Sequence, residues 1–342
     1  MRFPPLRDGQ RTEIAKVPLM RAVLINSLDG PDAVTVTDIP EPGGDGITID
    51  VHAAGVAFPD ALLSRGLYQY KPDLPFSPGG EIAGVVRSAP DGAHVRAGDR
   101  VLGLTMITGG MAEVVVLPAD RVFPLPDNVS FEAGAGVLFN DLTVLFALRT
   151  RGRLMPGETV LVHGAAGGIG TSTLRMARAL GAARAIAVVS TQEKVAVAEA
   201  AGADDVVLAD GFKDAVMGLT GGRGVDIVLD PVGGDRVTDS LRCLAPAGRL
   251  LVVGFTGGEI PTIKVNRLLL NNVDVVGVGW GAWTMRHPGY LAEQWDELSA
   301  LLEAGTVPPP QPHVFPLEQA AEAIASLENR SAKGKVVLQI RG

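Results

Sequence analysis

One stretch constrains the fold more than any other: Glu158-Thr-Val-Leu-Val-His-Gly-Ala-Ala-Gly-Gly-Ile-Gly-Thr-Ser-Thr-Leu-Arg-Met-Ala-Arg-Ala-Leu-Gly181. A β-branched run, a glycine-rich turn and an Ala/Leu/Arg segment follow one another without a break. The pattern predicts a buried strand over Thr159 to Val162 and a helix over Thr171 to Leu180, with Gly181 at its C-terminal cap. Together these make a dinucleotide-binding unit. Gly167 and Gly168 carry no side chain to keep a pyrophosphate from the N–H groups at the helix N-terminus, and Gly170 permits close helix–strand packing. Written against G-x-G-x-x-G, the turn reads Ala165-Ala166-Gly167-Gly168-Ile169-Gly170, so an alanine replaces the first glycine. A glycine turn alone is weak grounds, because many strand-to-helix turns use glycine only for φ > 0. The flanking strand and helix supply the context, and Ala166, Gly167, Gly168 and Ile169 become the expected cofactor contacts.

The next strand, Ala185 to Val189, ends at Ser190, about twenty residues past the last glycine, where an NAD site places an acid on the ribose hydroxyls. No acid stands there. Ser190-Thr191-Gln192-Glu193-Lys194 offers two hydroxyls and a cation instead, which suit a 2′-phosphate and favour NADPH, with Ser190 and Lys194 as its contacts. The plainer alternative is an N-capping Ser190 with Lys194 on a solvated helix face.

A chain of 342 residues has room for about two domains, each with its own core. Its single cysteine, Cys243, excludes an intrachain disulfide framework and a cysteine-rich zinc site. A net charge of −8 opposes nucleic-acid binding. The longest apolar stretch, Phe131 to Leu148, is interrupted by Glu132 and Asp141 and reads as a buried helix rather than a membrane span. No charged segment followed by an apolar one opens the chain, so a cytoplasmic protein without membrane partners is expected.

Residues 1–19, with Pro4, Pro5 and Pro18 and no periodicity, read as an N-terminal extension, Met20 opening the folded part. From there to about Asn140 short strands alternate with Gly, Pro and Asp turns: Arg21–Ile25, Gly46–Ala54, Glu81–Val86, Arg100–Leu104 and Met111–Leu117, an all-β signal suited to a compact barrel. From Leu142 helix and strand alternate. The strands Val160–Val162, Ala185–Val189, Val206–Leu208, Val225–Leu229, Leu250–Val253 and Val273–Val278 are the continuous apolar runs of a doubly wound parallel sheet. A helix over Gly289 to Glu303, a proline-rich connection, a second helix and a last strand, Lys335–Ile340, return the chain to the first domain.

The segments Gly55-Val-Ala-Phe-Pro-Asp60, Arg65-Gly-Leu-Tyr68, Leu74-Pro-Phe-Ser-Pro-Gly-Gly-Glu-Ile-Ala-Gly84 and Gly98-Asp-Arg-Val101, followed by the Ala-Ala-Gly-Gly-Ile-Gly turn, resemble the quinone oxidoreductase branch of the medium-chain dehydrogenase/reductases. The resemblance runs from Met20 to the end. It implies an α/β chain: a GroES-like β-barrel catalytic domain (20–140 and 283–342) and a Rossmann domain (141–282). Its alcohol dehydrogenase relatives bind zinc through a Cys, a His before Glu and a second Cys; here those places fall on Ala57, Gly80 and Phe139, and none can ligate a metal. His52, His94, His163, His287 and His313 show no paired spacing, and His163, on the last residue of a core strand, reads as structural. Asp60 and Glu81, two carboxylates without nitrogen or sulfur partners, make a poor zinc site.

Without a Lewis acid, hydride transfer to a quinone or conjugated enone is the easier chemistry, since the charge delocalises onto oxygen through the π-system. The resemblance thus implies NADPH-dependent reduction of a small-molecule quinone or conjugated carbonyl. The alternatives are an enoyl or 2-alkenal reductase and a non-catalytic NADPH-binding protein, the latter because Ala57 stands where many relatives place an Asn near the nicotinamide. Tyr68 and Asp60 are the candidate catalytic residues, Tyr68 as an O–H donor. Phe58, Tyr70, Phe139, Trp280 and Trp283 are candidates for an apolar acceptor pocket, against ordinary core packing for each. Thr143 is expected near the nicotinamide, Gly254 and Phe255 at the carboxyl edge of the sheet, and Asp230 as a turn cap. The glycine-rich strand Val273–Gly279 would be an exposed sheet edge, and the resemblance implies a homodimer joined there.

Overall fold

A computed structural model describes residues 17–341. Its first unit contains β1 (Leu19–Ile25), β2 (Val34–Pro40), β3 (Ile47–Val56), β4 (Glu81–Ser88), β5 (Arg100–Leu104), β6 (Val114–Leu117) and β7 (Val122–Pro124). Alternation sets the inward face. Ile47, Ile49, Val51 and Ala53 of β3 are at most 1% exposed while the residues between them are half-buried, which is the period-two pattern of a sheet with one apolar face.

The second unit holds β8 (Thr159–His163), β9 (Arg184–Val189), β10 (Asp205–Leu208), β11 (Val225–Asp230), β12 (Leu244–Val252) and β13 (Asp274–Gly277), all parallel, in the order β10-β9-β8-β11-β12-β13. Every residue of β11 is buried, as expected where helices cover both faces. The order reverses beside β8, so the crevice beyond the carboxyl ends of the strands opens at the glycine turn.

The chain then returns. β14 (His313–Pro316) and β15 (Val336–Gln339) complete a seven-stranded sheet in the first unit, ordered β14-β15-β3-β4-β5-β7 with β6 paired to β3. The fold is the expected α/β pairing of a GroES-like unit with a Rossmann-like parallel sheet. No described helix is long and apolar enough to cross a membrane.

Several predicted boundaries shift. Residues 1–16 of the expected extension lie outside the described residues, and β1 begins at Leu19 rather than after it. The strand expected over Met111–Leu117 is shortened to Val114–Leu117, because Val23 N donates to Met111 O and Glu113 N donates to Arg21 O, tying the earlier residues to β1. β2 and β14 were not expected from the sequence. In β14 the signal is too short and too near the proline-rich stretch to read as periodicity. The helix Tyr290–Glu303 packs on the helix Leu138–Leu145, with Gln294 Nε2 donating to Leu142 O at 3.1 Å.

Candidate active site

A groove runs between the two units. One wall is the glycine turn, Gly164 and Ala166 to Gly170, with Val189 at the end of β9, Ser190 and Lys194 after it, Pro231 and Val232 after β11, and Thr256. The other is Val56, Ala57 and Phe58 at the end of β3, with Leu327, Arg330, Ala332 and Gly334 to Val336. A backbone bond from Gly334 N to Ala166 O, 2.7 Å, joins the walls.

The turn glycines have separate causes. A Cβ on Gly170 would lie 2.4 Å from Ala165 Cα and Gly164 O, so the close helix–strand packing requires this glycine. On Gly167 a Cβ would meet only Gly164 O, at 3.3 Å, leaving it open to the groove. On Gly168 it would meet the Asn140 amide, Nδ2 at 2.4 Å, so that glycine makes room for a neighbouring side chain.

At one end of the groove Ser190 and Lys194 lie together with a cation the sequence did not point to, Arg330. Lys194 Nζ donates to Arg330 O at 2.8 Å, and burial, with Arg330 and Lys333 nearby, lowers the Lys194 pKa. Arg330 has φ +62°, a left-handed conformation at a helix end that usually selects glycine.

At the other end lies a buried ion pair. Lys335 Nζ donates to Glu81 Oε1 at 2.7 Å and to Val56 O at 3.2 Å, while Phe139 N donates to Glu81 Oε2 at 2.8 Å. Gly55 is required beside it, since a Cβ there would be 2.8 Å from Glu81 Oε1. Burial raises the Glu81 pKa against the opposing pull of Lys335.

Residues 43–127 match the family described as alcohol dehydrogenase GroES-like domain, and residues 168–303 the family described as zinc-binding dehydrogenase. Quinone oxidoreductase-like protein 2 of Rattus norvegicus is 36% identical over 326 residues, covering 94% of this chain and 92% of its own length. The chain belongs to the quinone oxidoreductase family of medium-chain dehydrogenase/reductases. Among solved structures, a probable oxidoreductase from Mycobacterium abscessus superposes with TM-score 0.86 at 40% identity, over 94% of this chain and 99% of its own. A mycobacterial protein complexed with NADPH does so with TM-score 0.83 at 32% identity, over 94% and 99%.

In this quinone oxidoreductase family member Ala57, Gly80 and Phe139 offer no side-chain nitrogen, oxygen or sulfur. A Cβ on Gly80 would lie 3.1 Å from Phe139 Cε2 and 2.8 Å from Met106 O, so packed groups surround that place. Among the described residues no three His, Cys, Asp or Glu side chains are grouped to share an ion.

Other expected site residues have different work. Asp60 is 2% exposed, and both its oxygens accept from backbone, Oδ2 from Ala57 N at 2.8 Å and Oδ1 from Gly79 N at 2.9 Å, which makes it a buried cap rather than a groove residue. Tyr68 packs on Ile25, Leu63 and Phe76 outside the groove lining, and burial raises its pKa. Tyr70 is 54% exposed and also lies outside it. The Thr143 hydroxyl donates to Phe139 O at 2.6 Å, a bond inside its own helix. Phe58 lines the groove, whereas Trp280 is buried with Nε1 on Gln294 Oε1 at 2.7 Å, its ring edge-on to Phe139. Trp283 stacks on His287 and packs against Phe146, away from the groove. Gly254 and Phe255 sit beside the lining residue Thr256, and the Phe255 ring fills the space next to Gly233. Asp230 caps its turn as expected, Oδ1 accepting from Val232 N and Gly233 N. His163 is a core residue with Nε2 on Ser240 Oγ, and burial lowers its pKa to about 4.

Proposed function

We propose that the chain is an NADPH-dependent oxidoreductase that reduces a quinone or another conjugated carbonyl without zinc. The charge of the groove carries this reading. Lys194, Arg236, Arg330 and Lys335 line it with no carboxylate among the lining residues, in a chain of net charge −8. A surface that concentrates cations against the overall balance suits a phosphate-rich ligand. The Ala166–Gly170 turn fits the pyrophosphate and the Ser190, Lys194 and Arg330 cluster fits the 2′-phosphate.

When bound, NADPH supplies the hydride. The protein's part is positioning and electrostatics: Phe58 gives the reacting end an apolar wall, and the Lys335 ammonium, fixed by Glu81, places positive charge beside it. Such charge favours the oxygen on which negative charge develops, a role that zinc performs in the alcohol dehydrogenases. Two copies join through the β13 edge, next to the exposed Leu269 and Leu270. A screen of NADPH oxidation against quinones, enals and enoyl thioesters, with and without a strong chelator, is the test. Chelator-insensitive turnover of a quinone supports the reading, turnover of enoyl substrates alone transfers it to the alkenal class, and tight NADPH binding without any turnover overturns it.

A further inference from the structure

Asn140 is 6% exposed, lines the groove, and its side-chain amide has no hydrogen-bond partner among the described residues. Its chain neighbours bond to other parts of the protein. Phe139 N donates to Glu81, Asp141 Oδ1 accepts from Ser172 Oγ and Arg175, and the Thr143 hydroxyl donates to Phe139 O. Among the described residues the buried side-chain atoms left without a partner are Asp141 Oδ2, His163 Nδ1 and Trp283 Nε1, whereas the Asn140 amide opens onto the groove, where a ligand can reach it. Here the surrounding chain accommodates it, since Gly168 is the glycine whose missing Cβ leaves space for Asn140 Nδ2.

We infer that Asn140 holds the nicotinamide-side ribose of the bound dinucleotide, aligning the reacting end in the groove. The inference rests on the NADPH reading above. Position selects this part of the ligand. Asn140 abuts Gly168 at the helix N-terminus, where the pyrophosphate belongs, and follows Phe139, whose N–H is bonded to the Glu81–Lys335 pair. The 2′-phosphate cluster of Ser190, Lys194 and Arg330 belongs to the adenine side, after β9. Chemistry selects the group: an amide both donates and accepts, and so do ribose hydroxyls, whereas a phosphate only accepts.

The test compares two ligands on the full chain by titration calorimetry. NADPH carries both halves, and adenosine 2′,5′-bisphosphate carries the adenine half with its 2′-phosphate but lacks the nicotinamide ribose. Asn140→Leu should weaken NADPH about tenfold while leaving the bisphosphate within about twofold, and the melting temperature of the ligand-free protein should hold because the amide makes no hydrogen bond within the protein. Asn140→Ala, which adds no bulk beside Gly168, should show the same split even if the leucine distorts the turn. Equal weakening of both ligands in both variants, or unchanged NADPH affinity, overturns the assignment. If the unsubstituted protein binds neither ligand, the NADPH reading itself fails, an outcome separate from failure of the Asn140 assignment alone.

Discussion

One wall of the groove is centred on a single run of chain, Gly164 to Gly170, whereas the facing wall gathers Val56 to Phe58 from the first unit and Leu327 to Val336 from the returning segment. The first is local. Its geometry follows from which glycine meets which neighbouring atom within one turn, as Gly170 does with Ala165 and Gly164. The second is held by long-range polar contacts, above all Lys335 to Glu81, residues 254 apart in sequence. The difference teaches that a nucleotide cradle can be written in one motif, while the charges that would select and orient its ligand come from wherever the fold delivers them.

The largest effect should come from breaking the distant wall. Lys335→Met leaves the Glu81 carboxylate, 1% exposed, without its counter-charge and should cost about 3–5 kcal/mol in urea unfolding. The double variant Glu81→Gln, Lys335→Met should recover most of that loss. A single variant within about 1 kcal/mol of the parent would mean that the pair does not hold the wall.

Next in size is a pH effect in the first unit. Burial pushes Asp60 from 3.8 up to about 6, against hydrogen bonds from Ala57 and Gly79 that favour its charged form. Between these pH values the folded protein carries a proton that the unfolded chain has released. Stability should therefore fall as pH rises from about 4 to about 6, by roughly 2–3 kcal/mol from this group. Asp60→Asn should flatten that part of the profile, and a flat profile in the unsubstituted protein would refute the shift.

The proposed phosphate cluster sharpens the comparison, because its two cations belong to opposite walls. Lys194→Ala and Arg330→Ala should each lower the NADPH/NADH ratio of kcat/KM by about one to two orders of magnitude, the 1.5–3 kcal/mol of a charge-assisted contact. An effect from Lys194→Ala alone would return the specificity to the local wall. Smallest, Gly167→Val should fold and weaken NADPH by about tenfold, since its side chain would enter open groove. Unchanged affinity in that variant would show that the local wall does not contact the ligand.

Much of the fold was legible because it depends on period and punctuation. β5 falls on the predicted Arg100–Leu104, and β8 and β9 lie within one residue of prediction at each end, since a fully buried strand between glycine turns has few alternatives. Short edge elements such as β14 were not, because four residues carry too little periodicity. Asp60, Tyr68 and Trp280 looked like site residues by chemical type, but their partners are backbone amides, apolar side chains and Gln294.

The sequence by itself determined the strand–turn–helix at Thr159 to Ala177, the absence of ligand atoms at Ala57, Gly80 and Phe139, and the placing of Ser190 and Lys194 beside the nucleotide groove. Each of these is fixed by residues a few positions apart, or by what a side chain contains. Only the tertiary structure decided that Arg330 and Lys335 face the glycine turn, that Glu81 fixes Lys335, and that the Asn140 amide opens onto the groove. Those facts depend on the chain returning to the first unit after the parallel sheet is complete. No local propensity encodes which distant carboxylate, carbonyl or empty space a side chain will meet there.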